Sequence, residues 1–271
     1  MNIIALSWLD VAISALPLLG LALVFWLLKL RMTRTLVIGA FRTWLQLTLV
    51  GFVLKGIFVQ ARLEWTLLFA LVMLGAGTYE VMRRQKHRFK GGQSVIFAVL
   101  GLMAAGFTVT LYALLVIVGV KPWWSPQYAI PLLGMILGNT MTGIALGMDT
   151  FTGAVWKQRA MIENRLALGE SMADALADCK RESIRTAMMP ILNSLAICGV
   201  VSLPGMMTGQ ILSGSDPSAA VRYQMMIMYM IAAGAGMGSV LTVHLISKRL
   251  TDARDRLRLD RLQAGDDRKR T

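Results

Sequence analysis

The chain predicts an all-α, polytopic membrane protein with about seven transmembrane helices. Seven long apolar stretches fill most of its 271 residues, and 56% of those residues are apolar, with a mean hydropathy of +0.60. Each stretch approaches or exceeds the roughly 20 residues that carry a helix across a bilayer. The short polar joints between them hold most of the lysine and arginine. A soluble domain of this length could not hide that much hydrocarbon around one core, so the surrounding solvent is lipid.

The spans fall at 8–28, 36–59, 65–82, 93–119, 129–150, 188–212 and 221–247. No basic residue precedes the first, and it is longer than a signal-peptide core, so it reads as a retained span. The second carries Arg42 and Gln46 one turn apart on a shared face. An interfacial helix over 35–43 with a snorkelling arginine is the preferred reading there, ahead of a polar path. The third ends in Glu80, just before Arg83 and Arg84, which supply it with an ion-pair partner. Trp123, Trp124 and Tyr128 follow the fourth and suit an outer interfacial belt.

The fifth span sets Asn139, Thr140 and Thr142 among Gly134, Gly138, Gly143 and Gly147. Small residues four apart favour close helix approach. Asn139 stands between an interhelical bridge and a pathway group. Asp149 ends this span near the interface, where an acid is easily paired. The sixth span contains Pro204 and Gly205, where a helix bends or breaks, followed by Met206, Met207 and Gln210. The two thioethers are soft potential metal ligands, with ordinary packing as the simpler reading. Gly234, Gly236 and Gly238 repeat the small-residue theme in the seventh span.

Charge orients the bundle. The joints after spans one, three and five and the tail, with Arg42, hold 24 of the 28 basic residues; Lys55, Arg62, Lys121 and Arg222 lie on the other side. The N-terminus is therefore expected outside and the C-terminus in the cytoplasm. A net charge of +13 would point a soluble protein to nucleic acid. Here the charge sits at helix ends and implies no nucleic-acid partner.

Residues 156–187 form the longest cytoplasmic joint, helical by composition. Leu166, Ala173, Leu176 and Cys179 form one apolar stripe, and Glu170, Asp174 and Asp178 follow one another at i,i+4 steps. A solvated face and a protein-docking face are both open to such a helix. Cys179 and Cys198 give neither a disulfide framework nor metal-ligand spacing. No HExxH, Walker A or G-x-S-x-G string occurs, so the chain is expected not to be an enzyme, to hold no cofactor, and to leave any ATP and Mg to a partner subunit.

Several strings resemble the FetB (YbbM) family: Glu163 to Gly169, Arg185 to Pro190, Leu203 to Leu212 (LPGMMTGQIL), Tyr79 to Gln85 and Arg222 to Gln224. The resemblance covers nearly the whole chain. It implies the permease of a small ABC transporter in the cytoplasmic (inner) membrane, working as a homodimer with two FetA-type ATP-binding subunits. Bacterial members are associated with iron export and plant relatives with aluminium tolerance, so a metal cation is the implied cargo. Glu163 and Gly169 also resemble the EAA-loop of ABC importers, although Asn164 and Arg165 replace its alanines and Pro190 comes later.

The expectation is thus a transmembrane permease domain over 1–250 with a charged cytoplasmic tail over 251–271. Glu163, Gly169, Glu170 and Asp174 would contact the ATPase from a coupling helix at 163–186. Met206, Met207, Gln210 and Asn139 would line the cargo's path, in a broken segment at 204–210. A self-sufficient ion channel or proton-coupled carrier, using Glu80 and Asp149, is the alternative.

Overall fold

A computed structural model describes residues 7–30, 32–252 and 256–264. Arg31 of the first basic joint and most of the tail lie outside the described residues. The described residues are largely helical, and among them six helical segments are long and apolar enough to cross a membrane. They are α1–α2 (Trp8–Ser14 and Leu16–Leu27), α3 (Thr33–Gln60), α4 (Leu63–Arg84), a composite fourth span, α7 (Pro126–Lys157) and α12 (Pro217–Arg249). The composite joins α5 (Gln93–Gly101) and α6 (Thr108–Tyr112) through π-helical stretches at Leu102–Phe107 and Ala113–Val118.

The seventh crossing exists, but in two pieces. Gly143 of α7 faces Ala235 and Ser239 of α12, and Gly147 faces Ser239 and Val243, so numbers rise together and the two helices run parallel. The chain between them must therefore recross. It does so through α10 (Ala177–Ile197), packed on both, and the short α11 (Gly205–Leu212). The charged first turns of α10 and the interruption after Ile197 explain why neither piece alone is a continuous apolar span.

The interruption lies earlier in the chain than expected. Residues 198–204 are non-helical, with Gly199 at φ +83°, and α11 starts directly after Pro204. Proline is tolerated in a helix's first turn because its missing N–H would be unpaired there anyway. Pro204 and Gly205 thus begin a helix, and 205–210 is not the broken segment. Nor is 35–43 a separate interfacial helix: α3 continues unbroken through it. At 28 residues α3 is about 42 Å long, more than the bilayer's hydrocarbon, so Arg42 shares one rod with the membrane-crossing turns.

Packing centres on α7. It contacts α12, α10 and α4, burying Ile136, Ile144, Met148 and Phe151. The interface with α12 is built from small residues: a methyl on Gly143 would sit 2.9 Å from Ser239 Oγ and 3.3 Å from the Ala235 carbonyl. Backbones this close maximise dispersion contact, which drives helix association where lipid removes the hydrophobic incentive. By contrast α1–α3 contribute almost nothing to the core and present Leu, Phe and Trp outward, as lipid-facing helices do.

At the basic end, the described part of the tail folds back. Strand β2 (Leu262–Ala264) pairs antiparallel with β1 (His87–Phe89), and Leu262 enters the main core. Arg249 donates to Gln93 Oε1 at 2.7 Å, and Arg261 donates to the Arg249 carbonyl at 2.6 Å. Arg258 holds the Asp260 carboxyl down at about 2, so this exposed pair stays charged at physiological pH.

Candidate functional site

The 156–187 joint is a hairpin standing on the end of α7. That helix runs 32 residues, about 48 Å, so its last turns project beyond the hydrocarbon. Gln158 interrupts it, α8 (Arg159–Ala167) continues, and Gly169 reverses the chain at φ +89°, a left-handed conformation that glycine adopts without strain. Ser171 caps α9 (Met172–Ala175), its Oγ accepting from Asp174 N at 3.2 Å, and α10 leads back into the membrane.

Because the turn resets the helical phase, the expected stripe is corrected. Leu176 and Cys179 are buried, Leu166 only half-buried, and Ala173 lies on the surface. Ile162, Met172 and Ala175 take the vacated places and join Phe151, Val155, Ile246 and Leu250 in one cluster. The apolar face thus anchors the hairpin to its own chain and leaves no free stripe for a partner. Burial also pushes the Cys179 thiol up, which keeps it protonated, and both cysteines are free.

The acidic line is corrected too, since Glu170 precedes α9 and lies outside any helix. Both arms of the Arg165 guanidinium hold the Glu170 carboxylate, with Nη2 donating to Oε1 at 2.5 Å. Nη1 reaches Asp178 Oδ2 at 3.3 Å, and these carboxylates raise the guanidinium pKa, Glu170 most. Arg165 thereby ties the two limbs together across the turn. The surface of the hairpin carries Glu163, Asn164, Gly169 and Asp174, and at its tip Leu168, which is 88% exposed. A leucine so exposed beyond the membrane, on a firmly braced turn, has the form of an anchor for another surface. Sequence periodicity could not single out Leu168, which looks like one more apolar position in a helix.

The second candidate region is the broken crossing. Met206, Met207, Thr208 and Gln210 all lie half-buried on α11, and Met206 packs on the cluster of Ile191, Ile227 and Ile231. Gln210 Oε1 is buried without a hydrogen-bond partner, and so is Oε1 of Gln224 on α12, a residue only 5% exposed. Two unpartnered amide oxygens on packed neighbouring helices give this region polar capacity. In the sequence Gln224 stands only in a FetB-like string and suggests no site role, because it reads as the polar flank of an apolar run. Asn139 stands elsewhere. It is exposed on α7, bonded to its own helix through the Met135 carbonyl at 2.8 Å, and no hydrogen bond joins it to α11 among the described residues.

Both acids, Glu80 and Asp149, have partners. Arg84 Nε lies 3.3 Å from Glu80 Oε1, the pairing expected from the sequence. Asp149 Oδ1 accepts from the Lys86 backbone N–H at 2.7 Å and fixes the loop after α4 to the end of α7. Beside it Gln85 donates to Met148 Sδ at 3.1 Å, and His87 stacks on Trp156 with centroids 5.1 Å apart.

Among known proteins, the sequence model described as an uncharacterised protein family, UPF0014, matches residues 8–251. The chain belongs to the UPF0014 family. A UPF0014 membrane protein of Synechocystis is 38% identical over 233 residues, covering 84% of this chain and 88% of that one. The probable iron export permease protein FetB of Escherichia coli is 31% identical over 235 residues, 87% of this chain and 88% of its own. The Arabidopsis protein ALUMINUM SENSITIVE 3 is 33% identical over 204 residues, 75% and 72% of the two chains. No solved structure matches. This UPF0014 chain is therefore a multi-pass membrane protein, and the FetB relative, itself named a probable permease, agrees with the FetB-like character read from the motifs.

Proposed function

We propose that this protein is the permease subunit of an ABC transporter in the cytoplasmic membrane, exporting iron or a related metal cation with ATP hydrolysed by a separate chain. Two copies would pair with two FetA-type ATP-binding subunits, which carry the ATP and Mg. The N-terminus lies outside and the C-terminus inside, since Lys and Arg crowd the end of the bundle that bears the hairpin. The observation that carries the reading is Leu168, presented on a turn braced by Arg165 and Glu170 and rooted in the core through Ile162 and Leu176.

In this account the hairpin is a lever. Closure of the ATPases pushes Leu168, Glu163 and Gly169, and the rooted limbs pass the displacement to α7 and α10. One limb follows α7 across the one-residue interruption at Gln158 and the other is the start of α10 itself, so motion reaches the break at 198–204, where residues outside any helix absorb it. Shifting α11 then changes which side can reach Met206, Met207 and Gln210, while Asn139 on the outer face of α7 is assigned only a secondary part. A channel or proton-coupled carrier is the weaker reading, because Glu80 and Asp149 are engaged by Arg84 and by the Lys86 backbone.

A photo-crosslinker placed at Leu168 tests the docking step. Co-expressed with a family ATP-binding subunit, it yields a one-to-one covalent adduct, whereas the same probe at Val59, exposed at the opposite end of α3, yields none. Equal labelling from both positions would refute hairpin docking.

A further inference from the structure

A cleft of about 500 Å³ opens between α3, α4 and α7, apart from the hairpin and from α11. Its polar lining is Arg42, Thr43 and Gln46 from α3 with Glu80 and Arg84 from α4. Glycines make the room: a Cβ on Gly39 or Gly138 would meet nothing within 4 Å.

The charges do not balance. Glu80 is the single carboxylate of the lining and is paired with Arg84, while Arg42 forms no ion pair or hydrogen bond among the described residues. Arg42 lies nine residues, about 13 Å, along α3, well inside the helix. A guanidinium on a membrane helix, at or below the headgroup level, is stabilised by a counter-charge or by polar groups. Arg42 is thus the cation of the lining with no counter-charge among the described residues, and the amide of Gln46, one turn on, adds donors beside it. A bare metal cation is repelled from such a place.

We propose that this cleft binds an anionic phosphate headgroup from the leaflet at the basic end of the bundle, held by Arg42 and Gln46. The lining favours a lipid over a free phosphate. Met73, Leu137 and Met141 give the cleft an apolar wall, and α3 flanks it with a largely exposed helix, so acyl chains can leave sideways. Basic pockets between helices on the cytoplasmic side bind anionic headgroups by the same arrangement. The proposal concerns a lipid site and is independent of the cargo's identity and of hairpin docking.

The test is retention of lipid by the purified full-length chain, read by native mass spectrometry after delipidation. The arms are phosphatidylglycerol, phosphatidylcholine, and phosphatidylglycerol with excess soluble glycerol phosphate. Wild type retains phosphatidylglycerol over phosphatidylcholine. Arg42→Gln lowers that retention about tenfold, as expected for loss of one charge-assisted contact, and Arg42→Lys keeps most of it. Equal retention of the two lipids by wild type overturns the proposal without any variant, as does an unchanged Arg42→Gln. Full displacement by soluble glycerol phosphate assigns the site to a free phosphate and overturns the lipid.

Discussion

Leu168→Glu is expected to abolish capture of the proposed ATP-binding subunit while leaving this chain folded. The side chain is 88% exposed and contributes nothing to the core, so its replacement leaves intramolecular packing intact. A leucine that fills a pocket on a partner contributes about 2 kcal/mol, and a carboxylate buried there unpaired adds a desolvation penalty of at least similar size. Together these weaken association by about three orders of magnitude. Co-purification of the two chains with size-exclusion analysis of the permease alone separates the effects. Lost capture with an unchanged elution profile is the expected outcome, and undiminished capture removes the tip from the interface.

Gly238→Leu has the opposite character, preventing assembly of the bundle itself. A Cβ at this position would lie 2.8 Å from Thr140 Cγ2 and 3.1 Å from Ile144 Cδ1, on the closest face between α12 and α7. Thr140 and Ile144 are fully buried and have no space to retreat into. Overpacking at such a contact costs about 3 kcal/mol for the first atoms, a large part of a marginal stability, and a leucine brings three carbons more. The variant is expected to be recovered only as aggregate. Gly75→Leu on the exposed face of α4, where a Cβ meets nothing within 4 Å, is expected to elute as wild type. Fluorescence-detected size exclusion of the two variants decides the point.

How much of this was legible beforehand depends on which signal each element emits. Continuous apolar length revealed six spans directly, because bilayer thickness imposes it on every crossing helix. It also marked the seventh, but could not place its break, since Pro204 announces an irregularity without saying on which side of it the helix ends. The structure puts the non-helical residues before Pro204, where a proline can open a helix. In the 156–187 joint, a stripe counted from Leu166 to Cys179 assumes that one helix runs through Gly169. A single glycine at positive φ resets that count, which is why Ala173 is exposed and Met172 buried. The pairing of Glu80 with Arg84 was legible because it is local. The bond from Lys86 to Asp149, the return of Leu262 onto the β1 strand, and the cleft joining Arg42 to Glu80 depend on contacts far apart in sequence.

The central claim is that this chain moves its cargo only when an ATP-hydrolysing partner grips the hairpin. The decisive measurement is metal transport in vesicles reconstituted with the permease alone, the permease with its ATP-binding subunit, and the Leu168→Glu permease with that subunit. ATP is supplied on the subunit's side and iron is included in the metal panel. Movement is expected in the second preparation only, and only with ATP. Full-rate flux through the permease alone would contradict it.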